Sequence, residues 1–295
     1  MRKSLAILKT TALEILSEPL SLLLLLAALT LAVLAPAFHY HQFGEATRMA
    51  RDAGFSALFT CGSALAVFGT IRAFRREVES GTWEMALAHP ISRRGFFLAK
   101  TAGAFVASLV FSVVVFGTEL TIVWGAAVGG RLAVQTGDLA RIFGPALAAG
   151  LAVILLPLVV AAALNRFARF RFVLTAFALA LAFSAVFGGV SLALMPQALV
   201  RYLPVAVLIV CLMSVLLSAA AAFAVRVKAN AAASAVGLVF AALLPAVGNY
   251  YLSNALAKGG VVPWPYVGLA ALAALPAVAA FLLLGGVFSD GKDGD

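Results

Sequence analysis

Long apolar runs separated by short polar islands are the dominant pattern of this chain. A helix needs about 20 apolar residues to cross a bilayer core. On that measure the sequence predicts eight spans: Leu20 to Phe38, Gly54 to Phe74, Phe97 to Trp124, Ile142 to Leu164, Phe172 to Leu194, Leu203 to Val225, Ala231 to Leu252 and Pro265 to Phe288. The runs do not alternate as barrel strands would. The expected class is an all-α integral membrane protein, a polytopic transmembrane helix bundle. The short Met195-Pro196-Gln197 connection leaves an alternative, a re-entrant piece around Pro196 to Pro204 that lowers the count to six or seven.

Ahead of the first span, Leu5, Leu8, Ala12, Ile15 and Leu16 recur at helical spacing, with Lys3, Lys9, Glu14 and Glu18 elsewhere. This predicts an amphipathic helix over residues 1–19 lying in the interface, with Pro19 turning the chain into the membrane. A cleavable signal peptide competes, but the acidic residues and the proline disfavour it. Residues 20–288 then form one transmembrane domain, and residues 289–295 a short polar tail.

Composition sharpens the class. Hydrophobic residues make up 64% of 295 positions and charged ones 11%, far from the usage of a soluble domain. The net charge of +9 does not point to nucleic acid, because the basic residues sit at span ends and not on one face with interleaved aromatics. Sidedness accounts for them. With the N-terminus inside, only Arg48, Arg51, Arg131, Arg141, Arg201 and Lys258 fall outside, against the other fifteen of 21. The excess of Lys and Arg on the inner side then places both termini in the cytoplasm. Cys61 and Cys211 lie within spans as small apolar fillers and imply no disulfide framework.

Catalytic groups are scarce. His39, His41 and His89 fall in connections without a nearby thiol or carboxylate cluster, so no metal site is expected. The only Gly-Lys pair, Gly291-Lys292, is followed by Asp293, so this chain carries no phosphate-binding loop of the Walker type. Glu119 is the one carboxylate inside a confident span. It reads equally as part of a translocation path or as a structural group hydrogen-bonded to Thr or Ser on a neighbouring helix.

The richest island runs from Arg75 to Lys100 and holds eight Arg, Glu and Lys residues. Facing lipid, each charge would cost about 2.5–3.5 kcal/mol. The island is therefore either a solvated linker on the inner face or a docking surface. Sidedness alone would be met by a few Lys or Arg. Glu77, Glu79 and Glu84, with Trp83 and a short apolar run ended by Pro90, point instead to a short helix with acidic residues placed early.

The run Glu77-x-x-x-Gly81-Thr82-x-Glu84, then Leu87-Ala88-His89-Pro90-Ile91-Ser92-Arg93, then Lys100, resembles the first cytoplasmic loop of ABC-2-type transporter permeases. The match covers about twenty-five residues, with His89 where that family more often has a small polar residue, and eight expected spans where it commonly has six. The resemblance implies a permease subunit of an ABC exporter. Its coupling helix, between spans 2 and 3, would seat Glu77, Glu79, Gly81, Thr82, Trp83, Glu84, Met85, Leu87, Pro90 and Arg93 against a separate ATP-binding-cassette ATPase. ATP and Mg would be bound by that partner, and no cofactor by this chain. It further implies a homodimer or heterodimer with a second permease, in a bacterial cytoplasmic (inner) membrane, with the N-terminal amphipathic segment as the connecting helix. Glu119 is the candidate for the path. A secondary transporter or channel without an ATPase is the alternative.

Overall fold

The structure, a computed structural model, describes residues 2–34, 46–79, 92–136, 143–168, 171–247 and 262–290. Within these residues the chain is helical, without a strand. The helices are α1 (Arg2–Ser17), α2 (Pro19–Leu34), α3 (Ala46–Ala64), α4 (Thr70–Glu79), α5 (Arg93–Thr136), α6 (Phe143–Ala168), α7 (Phe172–Leu194), α8 (Gln197–Arg226), α9 (Ala229–Val247) and α10 (Trp264–Asp290). A π-helical turn, Leu65–Gly69, joins α3 to α4 without breaking the rod. Such turns disturb the regular backbone ladder and recur at functional places.

Six of the eight expected spans stand complete among the described residues. Six helices are long and apolar enough to cross a membrane on their own: Ala50–Glu79, Arg93–Gly129, Gly144–Phe167, Phe172–Leu194, Gln197–Arg226 and Trp264–Ser289. A seventh arises if α1 and α2, bent by 62° at Glu18, count as one broken span. The shortfall is not where the sequence left its alternative. Phe172–Leu194 and Gln197–Arg226 are both full spans meeting at a tight Met195–Pro196 turn, and no re-entrant piece lies between them. It comes from the first and seventh runs, which are described only in part: Pro19–Leu34 and Ala229–Val247 both end at the edge of the described residues.

The central rod is α5, with 44 residues, about 66 Å at 1.5 Å per residue. That exceeds a hydrocarbon core of roughly 30 Å, so α5 tilts or projects beyond it. It packs against α1, α2, α3, α6, α7, α8 and α10. Small residues make these approaches close. A Cβ added to Gly103 would lie 2.6 Å from the Leu8 carbonyl oxygen of α1, and one added to Gly117 would lie 2.7 Å from the Ser184 carbonyl oxygen of α7. The buried faces of α2, α3, α5, α7 and α8 form one continuous apolar core around Leu58, Phe111, Phe177 and Met213.

These contacts sort the chain ends. Phe97 at the start of α5 packs on Gly285 near the end of α10. Residues of α1, α4 and the starts of α7 and α9 line a common cleft. The N-terminal helix, both roots of the polar island, the α6–α7 and α8–α9 turns and the end of α10 therefore gather at one end of the bundle. The starts of α3 and α8 meet at the other end, where the Phe55 and Tyr202 rings are 6.3 Å apart.

Candidate functional site

The polar island leaves the bundle at the end of α4 and returns at the start of α5. Ser92 fixes the return: its Oγ accepts the Gly95 amide at 3.2 Å, and its carbonyl accepts the Phe96 amide, the pattern of a serine N-cap. Two turns on, Lys100 is completely buried, with Nζ 2.6 Å from Glu77 Oε1 of α4. The ammonium also stands 5.4 Å from the Phe74 ring centroid and 6.0 Å from that of Phe96, within reach of cation–π attraction. Phe74 and Phe97, both fully buried, set their rings 5.5 Å apart and tilted by 53° beside it. A buried charge persists only when paired, and here the pair joins the two helices that carry the loop. Arg75 donates to Glu79 at 2.9 Å along the exposed side of the same α4 turn.

Of the loop residues the sequence singles out, Glu77, Glu79 and Arg93 are described, and Gly81, Thr82, Trp83, Glu84, Met85, Leu87 and Pro90 lie outside the described residues. Glu77 directs one carboxylate oxygen inward onto Lys100, while Glu79 ends α4 and Arg93 begins α5. Lys100 is the member that sequence reasoning left off the site. Its signal is a lysine in an otherwise apolar run, Phe96-Phe97-Leu98-Ala99-Lys100, a placement that demands an acidic partner.

Glu119 lies nineteen residues further along α5, about 28 Å away at helical rise. It is 1% exposed, and neither carboxylate oxygen has a hydrogen-bond partner among the described residues. The adjacent hydroxyls do not serve it: Thr118 donates to the Val114 carbonyl and Thr121 to that of Gly117, both within α5. Among the described residues, the structural hydrogen bond to a neighbouring helix, one of the two sequence readings, is not formed. Gly54 makes room for the side chain, since a Cβ there would sit 2.5 Å from Glu119 Cγ. The charged groups acting on it are Arg51 and Asp52 of α3, themselves paired at 2.8 Å. Among the described residues no cluster of His, Cys, Asp and Glu could hold a metal ion.

A family model described as ABC-2 family transporter protein matches residues 16–170, the stretch that contains both the Glu77–Lys100 pair and Glu119. The chain belongs to the ABC-2 transporter family. Its apolar helices and this membership make it an integral membrane protein, a permease of the ABC transporter class. No curated protein and no solved structure matches it.

In this ABC-2 permease the N-terminal helix is fastened to the loop root as well. Arg76 Nη1 donates to Glu14 at 3.2 Å, and Arg72 approaches Glu18 at 3.8 Å. Across the bend, Ser21 Oγ donates to the Ile15 carbonyl. Glu18, at the bend ahead of α2, has its carboxyl pushed above the usual range by burial, with Arg72 pulling the other way. Elements α1, α4 and α5 are thus joined by ion pairs at the end of the bundle where the polar loop leaves it.

Proposed function

We propose that this chain is the membrane-spanning subunit of an ABC exporter, coupled through the loop between residues 75 and 100 to a separate ATP-binding-cassette ATPase that binds ATP and Mg. The observation that carries the reading is the buried Glu77–Lys100 pair beneath that loop. A solvated linker has no need of a desolvated strut at its base. A loop that transmits force does, because α4 and α5 must answer a push as one body. Residues 1–19 act as the interfacial connecting helix, residues 20–288 as the permease domain and residues 289–295 as a cytoplasmic tail. The end that carries the N-terminus, the loop and the end of α10 faces the cytoplasm of a bacterial inner membrane, as the bias of Lys and Arg favours.

Two such subunits, identical or different, frame the path. Closure of the paired ATPases presses the loops and favours one arrangement of the bundles over the other, so that a ligand bound unequally by the two states is moved. The π turn at Leu65–Gly69 gives the α3–α4 rod a place to change register under that load. Export is favoured over uptake because the outer connections, such as residues 35–45 between α2 and α3 and 137–142 between α5 and α6, are too short for a receptor domain. Glu119, buried without a hydrogen-bond partner in the outer half, is the residue of this chain assigned to the path. It is also the observation that favours the second reading, a secondary transporter.

Affinity purification of the tagged full chain from its own cells decides between them. The expected result is a stoichiometric companion with ATPase activity that vanadate inhibits. Transport that persists when the companion is deleted would favour the secondary transporter.

A further inference from the structure

Three charge-bearing side chains gather where α3 packs on α5: Arg51 and Asp52 of α3 and Glu119 of α5. Arg51 stands three residues before Gly54, so it shares a face of α3 with the glycine that receives Glu119. That arginine is 8% exposed, yet its guanidinium reaches sideways to Asp52, with Nη2 2.8 Å from Oδ1. Arg48 approaches the other Asp52 oxygen at 3.9 Å. The more exposed carboxylate, 43% open to solvent, thus draws two cations. The fully buried one has no hydrogen bond to either oxygen among the described residues. A Cβ on Gly54 would lie 2.7 Å from Glu119 Cδ, so the backbone of α3 closes directly over the carboxyl group. An ionised carboxylate in such a place is costly without a partner, and the neutral acid costs far less.

The other elements packed on α5 add little charge here. From α8, Tyr202 lies within the field of Arg51, Arg201, Glu119 and Asp52. Helices α2 and α7 carry no ionisable residue, and α6 carries only Arg166, at the loop end. Helix α10 has Tyr266 at its start and Asp290 at its loop end, where the charges of α1 also lie. Arg51 is the cation that acts on Glu119.

We propose that Glu119 is a proton-binding site, holding its proton while Arg51 is committed to Asp52 and releasing it when Arg51 turns to Glu119. In that exchange the O–H bond of Glu119 breaks and Arg51 balances the new carboxylate. The proton passes to Asp52, the carboxylate that Arg51 has vacated, and from its exposed side to water, leaving Asp52 with Arg48. Protonatable carboxyls inside a span serve proton relays in this way. The inference deepens the assignment of Glu119 to the path, and it holds whether an ATPase or an ion gradient drives the cycle.

The test is infrared difference spectroscopy of the full chain in lipid nanodiscs. At neutral pH ordinary glutamates, which titrate near about 4.3, are ionised. The wild-type chain should nonetheless show the carbonyl stretch of a protonated carboxyl group, lost on raising the pH and lost in Glu119→Gln. Asp52→Asn leaves Arg51 to Glu119, so its band should be gone at neutral pH and return only in acid. A wild-type chain with no such band at neutral pH overturns the proposal without reference to any variant. A band that survives in Glu119→Gln overturns it too, because the proton then sits elsewhere. A band in Asp52→Asn that titrates as in wild type overturns the exchange of Arg51. A band that answers to both variants, alongside full transport by Glu119→Gln, upholds the proton site and removes Glu119 from the path.

Discussion

Removing Glu77 and removing Lys100 are expected to cost unequal amounts, although each breaks the same ion pair. Glu77→Gln leaves an ammonium with no solvent exposure. The Phe74 and Phe96 rings at 5.4 and 6.0 Å offer about 0.5–2 kcal/mol of cation–π attraction, which does not replace a carboxylate. Glu14, the next carboxylate acting on Lys100, is held by Arg76. The loss should approach the ~3–5 kcal/mol of a buried charge stripped of its partner. Lys100→Met keeps length and removes the buried charge. It leaves Glu77, whose side chain is 27% exposed, to turn toward water at the end of α4, for about 1–2 kcal/mol, the range of an ordinary substitution. The double variant Glu77→Gln with Lys100→Met should lie closer to wild type than Glu77→Gln alone, since apolar groups often replace a buried pair without loss. Unfolding of each purified variant by titration with SDS in mixed micelles reads these differences. Equal losses for the two single variants, or a double variant as unstable as Glu77→Gln, would refute the claim that Lys100 is a desolvated charge held by Glu77.

Other outcomes follow from the same geometry. Gly117→Val should cost about 1–3 kcal/mol in the same titration, because its Cβ would meet the Ser184 carbonyl and force α5 from α7. Glu119→Gln should fold and assemble normally yet lower transport, and a fully active Glu119→Leu would remove the residue from the path. Reporter fusions after Lys228 and at the C-terminus should read cytoplasm, and one after Glu45 the outer side; an outward signal at Lys228 would overturn the orientation.

Much of this architecture is written in local pattern. The amphipathic spacing of Leu8, Ala12 and Ile15 and the bend before Pro19 each depend on neighbours in sequence, and each forms as the pattern predicts. The spans at Phe172–Leu194 and Gln197–Arg226 were equally plain once two prolines were not mistaken for breaks: Pro196 precedes a helix and Pro204 lies inside it. What periodicity does not carry is which charge meets which across helices. The pairs Glu77 with Lys100, Glu14 with Arg76 and Glu18 with Arg72 join separate elements, and nothing in spacing distinguishes them from charges bound for solvent or a partner. The π turn is also silent in sequence, because Leu65 to Gly69 contains no residue that forces it. Glu119 stood out as a lone carboxylate, but its lack of a hydrogen bond needed the positions of Gly54 and of the two threonine hydroxyls.

The central claim is that the polar loop docks an ATPase. Truncating a buried anchor in such an interface commonly costs about 2 kcal/mol or more, and Trp83 is the largest side chain in the loop. The decisive measurement compares capture of the ATPase by the wild-type chain and by the double variant Trp83→Ala with Glu84→Lys, in detergent, alongside the ATPase activity of each complex. The account predicts that the double variant loses the ATPase, or retains it with hydrolysis no longer linked to transport, while Arg93→Lys behaves as wild type. Normal capture and normal coupling by the double variant would contradict it and leave the loop a solvated linker.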